Sequence, residues 1–384
     1  MELARCLLLG WLVMLAQVAF PVPANAQRLD LTQDWRFHRG EAMGADAVAF
    51  DDDDWKRVSV PHDWAIMDRP DGTPPFDPAA AGGQDSGYLP GGIGWYRRVV
   101  TLDAAAAARV ARLAFEAVYM DARVWVNGKQ LAHHAYGYSA FAIDLTGVLK
   151  PGRNVIAVRV NHQDPSSRWY AGSGIIRPVH LELLDPVHMD RDGLFITTPV
   201  ATAEHGEVSV ETPVRNRGDT ATTVELFSAI VDGNGRNVAE MTDSRRVDAG
   251  GVVSFRQRLA IARPNLWSPD TPDLYHLRQT VSVAGRPLDT RTTRFGIRHV
   301  TFDAKGGLRV NGEAVLLRGG NIHHDNYMLG AAGWPDADRR KVAVMKAAGY
   351  NAIRSAHNPA SQATLDAADA LGMLVIDEAF DMWN

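Results

Sequence analysis

Two stretches decide the reading of the fold: Ala352-Ile353-Arg354-Ser355-Ala356-His357-Asn358-Pro359 and, further on, Leu374-Val375-Ile376-Asp377-Glu378. Each runs from apolar residues with strand character into polar ones. A third run of this kind precedes them, Val315-Leu316-Leu317 leading into Asn321, His323, His324 and Asp325. The segments between carry helical patterning. Pro335 and Asp336 open a helix with Val342, Met345 and Ala348 on its apolar face and Gly349 as its stop; Ser361 is a natural N-cap for a second helix, which carries Leu365, Ala368 and Leu371 and stops at Gly372. Parallel strands joined by helices of this length are βα units. Polar residues at the C-terminal ends of such strands are how a (β/α)8 barrel assembles an active site. Three strands do not close an eight-stranded barrel, so residues 301–384 read as its first three βα units, and the chain as the front part of an enzyme.

Upstream the texture is all β. From residue 27 to about 186, short alternating runs are separated by Gly, Pro, Asn and Asp. Ala122-Arg123-Val124-Trp125-Val126 is followed by Asn127-Gly128 and then by Lys129-Gln130-Leu131, the signature of a type I′ hairpin, whose two central residues need positive φ. Val155 to Val160 follows a Pro151-Gly152 turn and reads as a buried central strand. This block predicts a jelly-roll β-sandwich. Residues 187–300 contain about seven further strands, among them Glu207–Thr212, Val224–Ala229 and Gln279–Val283, as expected of an immunoglobulin-like β-sandwich without its cysteine pair. The fold class is thus multidomain β plus α/β.

Composition narrows the field. Of 384 residues, 46% are hydrophobic and 22% charged, with a net charge of -5, which excludes disorder. There is no basic stripe, and hence no case for nucleic acid. Arg5, the apolar run Leu7–Ala16 and the small-x-small Ala24-Asn25-Ala26 read as a secretory signal peptide over residues 1–26, cleaved so that the mature chain begins at Gln27. The expected localisation is therefore exported, periplasmic or secreted, with no membrane anchor after cleavage; the apolar run falls short of the ~20 residues a spanning helix needs. The single cysteine, Cys6, lies ahead of that run, which leaves no disulfide or thiolate chemistry to the mature chain.

Each candidate group has a structural reading beside its functional one. His323, His324 and Asp325 contact a substrate or support the groups that do, or cap a loop. Metal binding is disfavoured, because adjacent side chains on an extended chain point to opposite sides and zinc-ligand spacings are missing. Pro359 forces Asn358 out of helical geometry, which places His357 and Asn358 at the barrel mouth or else in a simple solvated turn. Asp377 and Glu378 line a pocket, or pair with Arg354 or Arg318 as support. Asp51 to Asp54 reads as a solvated acidic loop, lacking a calcium loop's spacing. Trp35, Trp55, Trp64, Trp95, Trp125 and Trp169 are expected to be mostly core. Strand-terminal packing is expected for Arg168-Trp169 rather than reach over the site.

Taken in order, the motifs resemble those of glycoside hydrolase family 2, which includes β-galactosidases, β-mannosidases and β-glucuronidases. Val60-Pro61-His62-Asp63-Trp64, Gly92-Ile93-Gly94-Trp95-Tyr96-Arg97, Val126-Asn127-Gly128-Lys129, Pro165-Ser166-Ser167-Arg168-Trp169-Tyr170 and Gly174-Ile175-Ile176-Arg177 are similar to the family's sugar-binding domain. Phe295-Gly296-Ile297-Arg298 is similar to the exit from its immunoglobulin-like domain. Asn321 to Asp325, Ile353 to Pro359 and Asp377 to Asp381 are similar to its first three barrel strands. The resemblance implies a retaining exo-β-glycosidase, β-galactosidase-like, acting on a carbohydrate substrate, with homo-oligomers common among relatives. It implies that His323 and His357 meet sugar hydroxyls and the transition state, and that Arg354 and Glu378 line or brace the pocket. In the family the acid/base glutamate follows an Asn on a later strand. No Asn-Glu pair follows Asp325 here, so neither the acid/base nor the nucleophile is expected within these residues; both are expected beyond Asn384. No cofactor is implied with certainty. Some relatives hold Mg2+ with an acidic residue and a histidine after the third strand, and Phe380-Asp381-Met382-Trp383 lacks that pairing. The rival from another class is a non-catalytic carbohydrate-binding or scaffold protein built on the two sandwiches.

Overall fold

The computed structural model describes residues 26–67, 75–167 and 169–381. Residues 1–25 with Cys6, residues 68–74, Arg168 and residues 382–384 lie outside the described residues.

The first unit is a sandwich of two antiparallel sheets. The six-stranded sheet runs Lys56–Val58, Trp35–Arg39, Gly92–Leu102, Gly152–His162, Ala122–Val126, Lys129–His134; the four-stranded sheet runs Gln27–Asp30, Val179–Leu184, Val110–Phe115, Phe141–Asp144. Gly152–His162 is central, paired on both sides, and four successive residues of it, Val155 to Val158, are buried. Asn127 and Gly128 both take positive φ, 53° and 81°, and Lys129–His134 returns along Ala122–Val126. Trp35, Trp64, Tyr96, Leu113, Phe115 and Leu181 fill the space between the sheets.

The acidic run Asp51–Asp54 is a correction. Its outer residues face water, but Asp52 binds the fully buried guanidinium of Arg97 (Nε to Oδ2, 2.6 Å). Arg97 also donates to the carbonyls of Ala45 and Ala47. A buried cation needs such a set of acceptors, and the run supplies one of them.

The second unit stacks two four-stranded sheets: Val187–Met189, His205–Asn216, Phe195–Ala201 and Val252–Ala262 in one, and Asn237–Val247, Thr222–Val231, Tyr275–Val283 and Arg286–Phe295 in the other. Its core is divided in two. Between the halves lies a polar layer in which Gln279 donates to Thr212 and Ser228, and Ser228 donates to Gln257. All four are buried.

In the third unit, strands Gly319–Ile322, Ala352–Ser355 and Leu374–Asp377 pair in parallel in that order. Helices Pro335–Ala347 and Gln362–Leu371 connect them. Ser361 caps the second helix through Thr364 N (3.1 Å), and Gly372 ends it in the left-handed region. The first strand does not lie where the apolar run predicts it. Leu316 and Leu317 are exposed, and the hydrogen-bonded strand starts at Gly319. There a Cβ would come within 2.8 Å of the Ala352 carbonyl, so close pairing requires a residue without a side chain. Leu316, Val344, Ile376 and Phe380 leave apolar surface exposed on this unit.

The units are joined by specific contacts. Trp267 Nε1 donates to the Asp369 carbonyl (2.8 Å), and Lys346 Nζ to the Pro269 carbonyl (2.7 Å). Asp63 of the first sandwich is wholly buried. Its carboxylate accepts from the amides of Ala65 (3.1 Å), Ser173 (3.0 Å) and Ala331 (2.8 Å), and from the Tyr170 hydroxyl. Ala331 lies in the loop after the first barrel strand, so this one carboxylate ties the sandwich to the site-forming loop. Burial pushes the Asp63 carboxyl up, and its four donors pull it back.

Candidate active site

The C-terminal ends of the three parallel strands bring Arg354, His357 and Glu378 together. Arg354 Nε donates to Glu378 Oε1 (2.7 Å), and His357 Nδ1 lies 3.2 Å from Glu378 Oε2. Arg354 also reaches His357 Nδ1 (3.4 Å) and Asn321 Oδ1 (3.5 Å). Register explains the meeting: Asn321 pairs with Arg354, which pairs with Ile376, two residues short of Glu378. The His323 ring stands edge-on to that of His357, with centroids 5.5 Å apart. His323 is half-buried, and desolvation lowers its pKa while Asp325 opposes the shift. Two imidazoles thus meet at the strand ends, beside an ion pair that contacts one of them. Bound in this way, Glu378 braces; Asp377 lies apart from it and accepts from Ala360 N (2.9 Å).

His324 and Asn358 do not join that group. His324 turns to the opposite side from His323 and is packed against Tyr138 (4.5 Å between ring centroids), with Arg177 Nη2 3.3 Å from its Nδ1. Burial and that guanidinium hold its pKa well below the usual imidazole value. Asn358 is buried, not at the mouth; its Oδ1 accepts from the Tyr136 hydroxyl (2.6 Å). Its side-chain oxygen is satisfied inside the interface with the first sandwich, as a buried acceptor requires. Asp325 stays at the rim. Its backbone carbonyl and that of His323 each accept from Lys341 Nζ at 3.1 Å.

Trp169 overturns the expectation of strand-terminal packing. Its indole stacks on His323 (4.5 Å, 21° between planes), and Nε1 donates to Asp325 Oδ1 (3.1 Å). The other tryptophans that the sequence singles out are buried or half-buried; Trp169 remains 49% exposed. Sequence reasoning also missed Asp63, Tyr136, Tyr138 and Arg177. Each acts across a domain boundary, and no spacing along the chain reports that.

Among the described residues, no group of three or more His, Cys, Asp or Glu side chains is assembled as a metal site would require.

Residues 30–184 match the sugar binding domain of glycosyl hydrolases family 2, residues 187–298 match glycosyl hydrolases family 2, and residues 303–381 match its TIM barrel domain. The chain belongs to glycosyl hydrolase family 2. Within family 2 it is 40% identical over 360 residues to beta-galactosidase BoGH2A of Bacteroides ovatus, covering 93% of this chain and 42% of that protein. It is 33% identical to a putative beta-glucuronidase of Formosa agariphila, covering 97% of this chain and 35% of that protein. A crystal structure of a family 2 member from Bacteroides cellulosilyticus superposes with a TM-score of 0.90 at 41% identity, over 93% of this chain and 46% of the other. The chain therefore spans less than half the length of these relatives.

Proposed function

We propose that this chain forms the substrate-cradling front of a retaining exo-β-glycosidase whose preferred substrates are terminal β-galactosides. The observation that carries the reading is the convergence of His323, His357, Arg354 and Glu378 at the C-terminal ends of parallel strands in a family 2 chain. Hydrolysis with retention needs two carboxyl groups about 5–5.5 Å apart, one protonating the leaving oxygen and one attacking the anomeric carbon. Glu378 is committed to Arg354 and His357, so it serves neither role. Its work is to fix His357, which with His323 presents hydrogen-bonding nitrogens to sugar hydroxyls. Groups held in place before charge develops on the ring lower the barrier without reorganisation at the moment of reaction. The similarity to BoGH2A supports the galactoside; the beta-glucuronidases among the relatives keep the uronide as the second reading.

The 384-residue chain alone is expected not to hydrolyse 4-nitrophenyl β-galactoside, whereas a polypeptide that continues it through the later barrel strands should, with the β-anomer as first product by NMR. Turnover by the 384-residue chain would refute the first statement, and an α-anomeric first product the second. We further propose that the protein is exported and homo-oligomerises. Expression with its leader should yield a secreted or periplasmic chain whose N-terminus, by Edman degradation, is Gln27; an intact Met1 in the cytoplasm would refute export.

A further inference from the structure

We propose that Trp169 and Asp325 form a specificity device that selects uncharged β-pyranosides over β-uronides, an inference that rests on the glycosidase reading above. Trp169 is an exposed apolar plane at the rim of the strand ends. It is nevertheless held firmly. One ring contact is His323, and its N–H is spent on Asp325. Its neighbour Tyr170 is anchored on buried Asp63. Earlier in the same loop, Ser166 Oγ lies 2.9 Å from the Tyr119 hydroxyl and 3.1 Å from His162 Nε2. An indole fixed beside two sugar-facing imidazoles, with half its surface open, is a preorganised platform for the C–H face of a pyranose.

Charge at the rim decides which pyranose. Asp325 places a carboxylate beside the indole and can accept from a neutral hydroxyl. The cations described nearby already have partners: Arg354 is bound to Glu378, Lys341 to the carbonyls of His323 and Asp325, and Arg177 to the Pro359 carbonyl at 2.8 Å. A uronate bound over Trp169 would set its carboxylate against Asp325, and like charges in a partly desolvated site disfavour the wrong ligand.

The test uses the catalytically complete polypeptide and compares 4-nitrophenyl β-galactoside with 4-nitrophenyl β-glucuronide. Trp169→Ala should lower kcat/KM for the galactoside about tenfold, mostly through KM, and Trp169→Phe should restore most of the loss. Asp325→Asn keeps an oxygen to accept the indole N–H and removes the charge; it should raise the glucuronide-to-galactoside ratio of kcat/KM about tenfold. Wild-type preference for the glucuronide, an unchanged ratio in Asp325→Asn, or wild-type kinetics in Trp169→Ala would each overturn this inference while leaving the glycosidase reading intact. A wild type inactive on every glycoside would overturn that reading, and this inference with it.

Discussion

Acidification from pH 6.5 to about pH 4.5 is expected to remove about 2 kcal/mol of unfolding free energy through His62 alone. His62 is buried in the first sandwich, with Nδ1 2.7 Å from the Tyr96 hydroxyl. Burial, assisted by Lys56, holds its pKa down to about 3, against 6.5 for an ordinary imidazole. Well above pH 6.5 the ring is neutral in both states and contributes no slope. Below it, the unfolded chain takes up a proton that the folded chain refuses, so stability falls with pH throughout the window down to about 3. His180, held at about 4 by burial and by Arg28, Arg191 and Arg112, adds to the same trend, as does His324. Glu116 and Asp369 oppose it. Burial pushes their carboxyls up, so each is protonated in the folded chain before it is in the unfolded one. Urea midpoints at the two pH values, for wild type and for His62→Gln, check the assignment. The variant should lose close to one proton's worth of slope; equal slopes would refute it.

Replacing Asp63 should have the largest effect of any single substitution. Asp63→Ala leaves three buried amides and a buried hydroxyl without an acceptor, and should cost about 3–5 kcal/mol. Asp63→Asn should not rescue it, because an NH2 group would then face N–H donors. The loss should also be visible at a distance. Ala331 and Tyr170 are both held by this carboxylate, and Trp169 follows Tyr170's position. Amide exchange in residues 326–333 should therefore accelerate, and Trp169 fluorescence should shift toward that of a solvated indole. A variant within about 1 kcal/mol of wild type, with unchanged exchange in that loop, would show that the sandwich and the barrel loop are not coupled through Asp63.

Local chemistry made much of the fold legible. Asn127-Gly128 announces its hairpin because few other pairs tolerate two positive φ angles. Val155–Val160 announces a central strand by being apolar on both faces, and Ser361 announces a helix start. The first barrel strand was hidden, since Gly319-Gly320-Asn321 has neither apolar period nor β-branching, and the run Val315–Leu317 mimics a strand just before it. Of the site, the strand ends offered His323, His324, Asp325, Arg354, His357, Asn358 and Glu378, of which the structure brings His323, Arg354, His357 and Glu378 together. The alternation of neighbours could also have separated His324 from His323, given knowledge of what lay behind the strand. Trp169, Asp63 and the Asp52–Arg97 pair were out of reach for a different reason. Their meaning depends on partners 156, 107 and 45 residues away, and such distances leave no mark on local pattern.

The buried amide layer of the second sandwich fixes how its two faces may be stacked. Gln279 donates its side-chain N–H groups to Thr212 and Ser228 across this layer. Sliding its strand by one position would turn Gln279 toward water and drive Arg278 or Thr280 inward, stranding a guanidinium or a hydroxyl without an acceptor. Any half-buried strand already resists a one-residue slip, which would carry its apolar face to water; the polar layer adds a second penalty, and so reinforces the alignment from which Phe295 leads into the barrel segment.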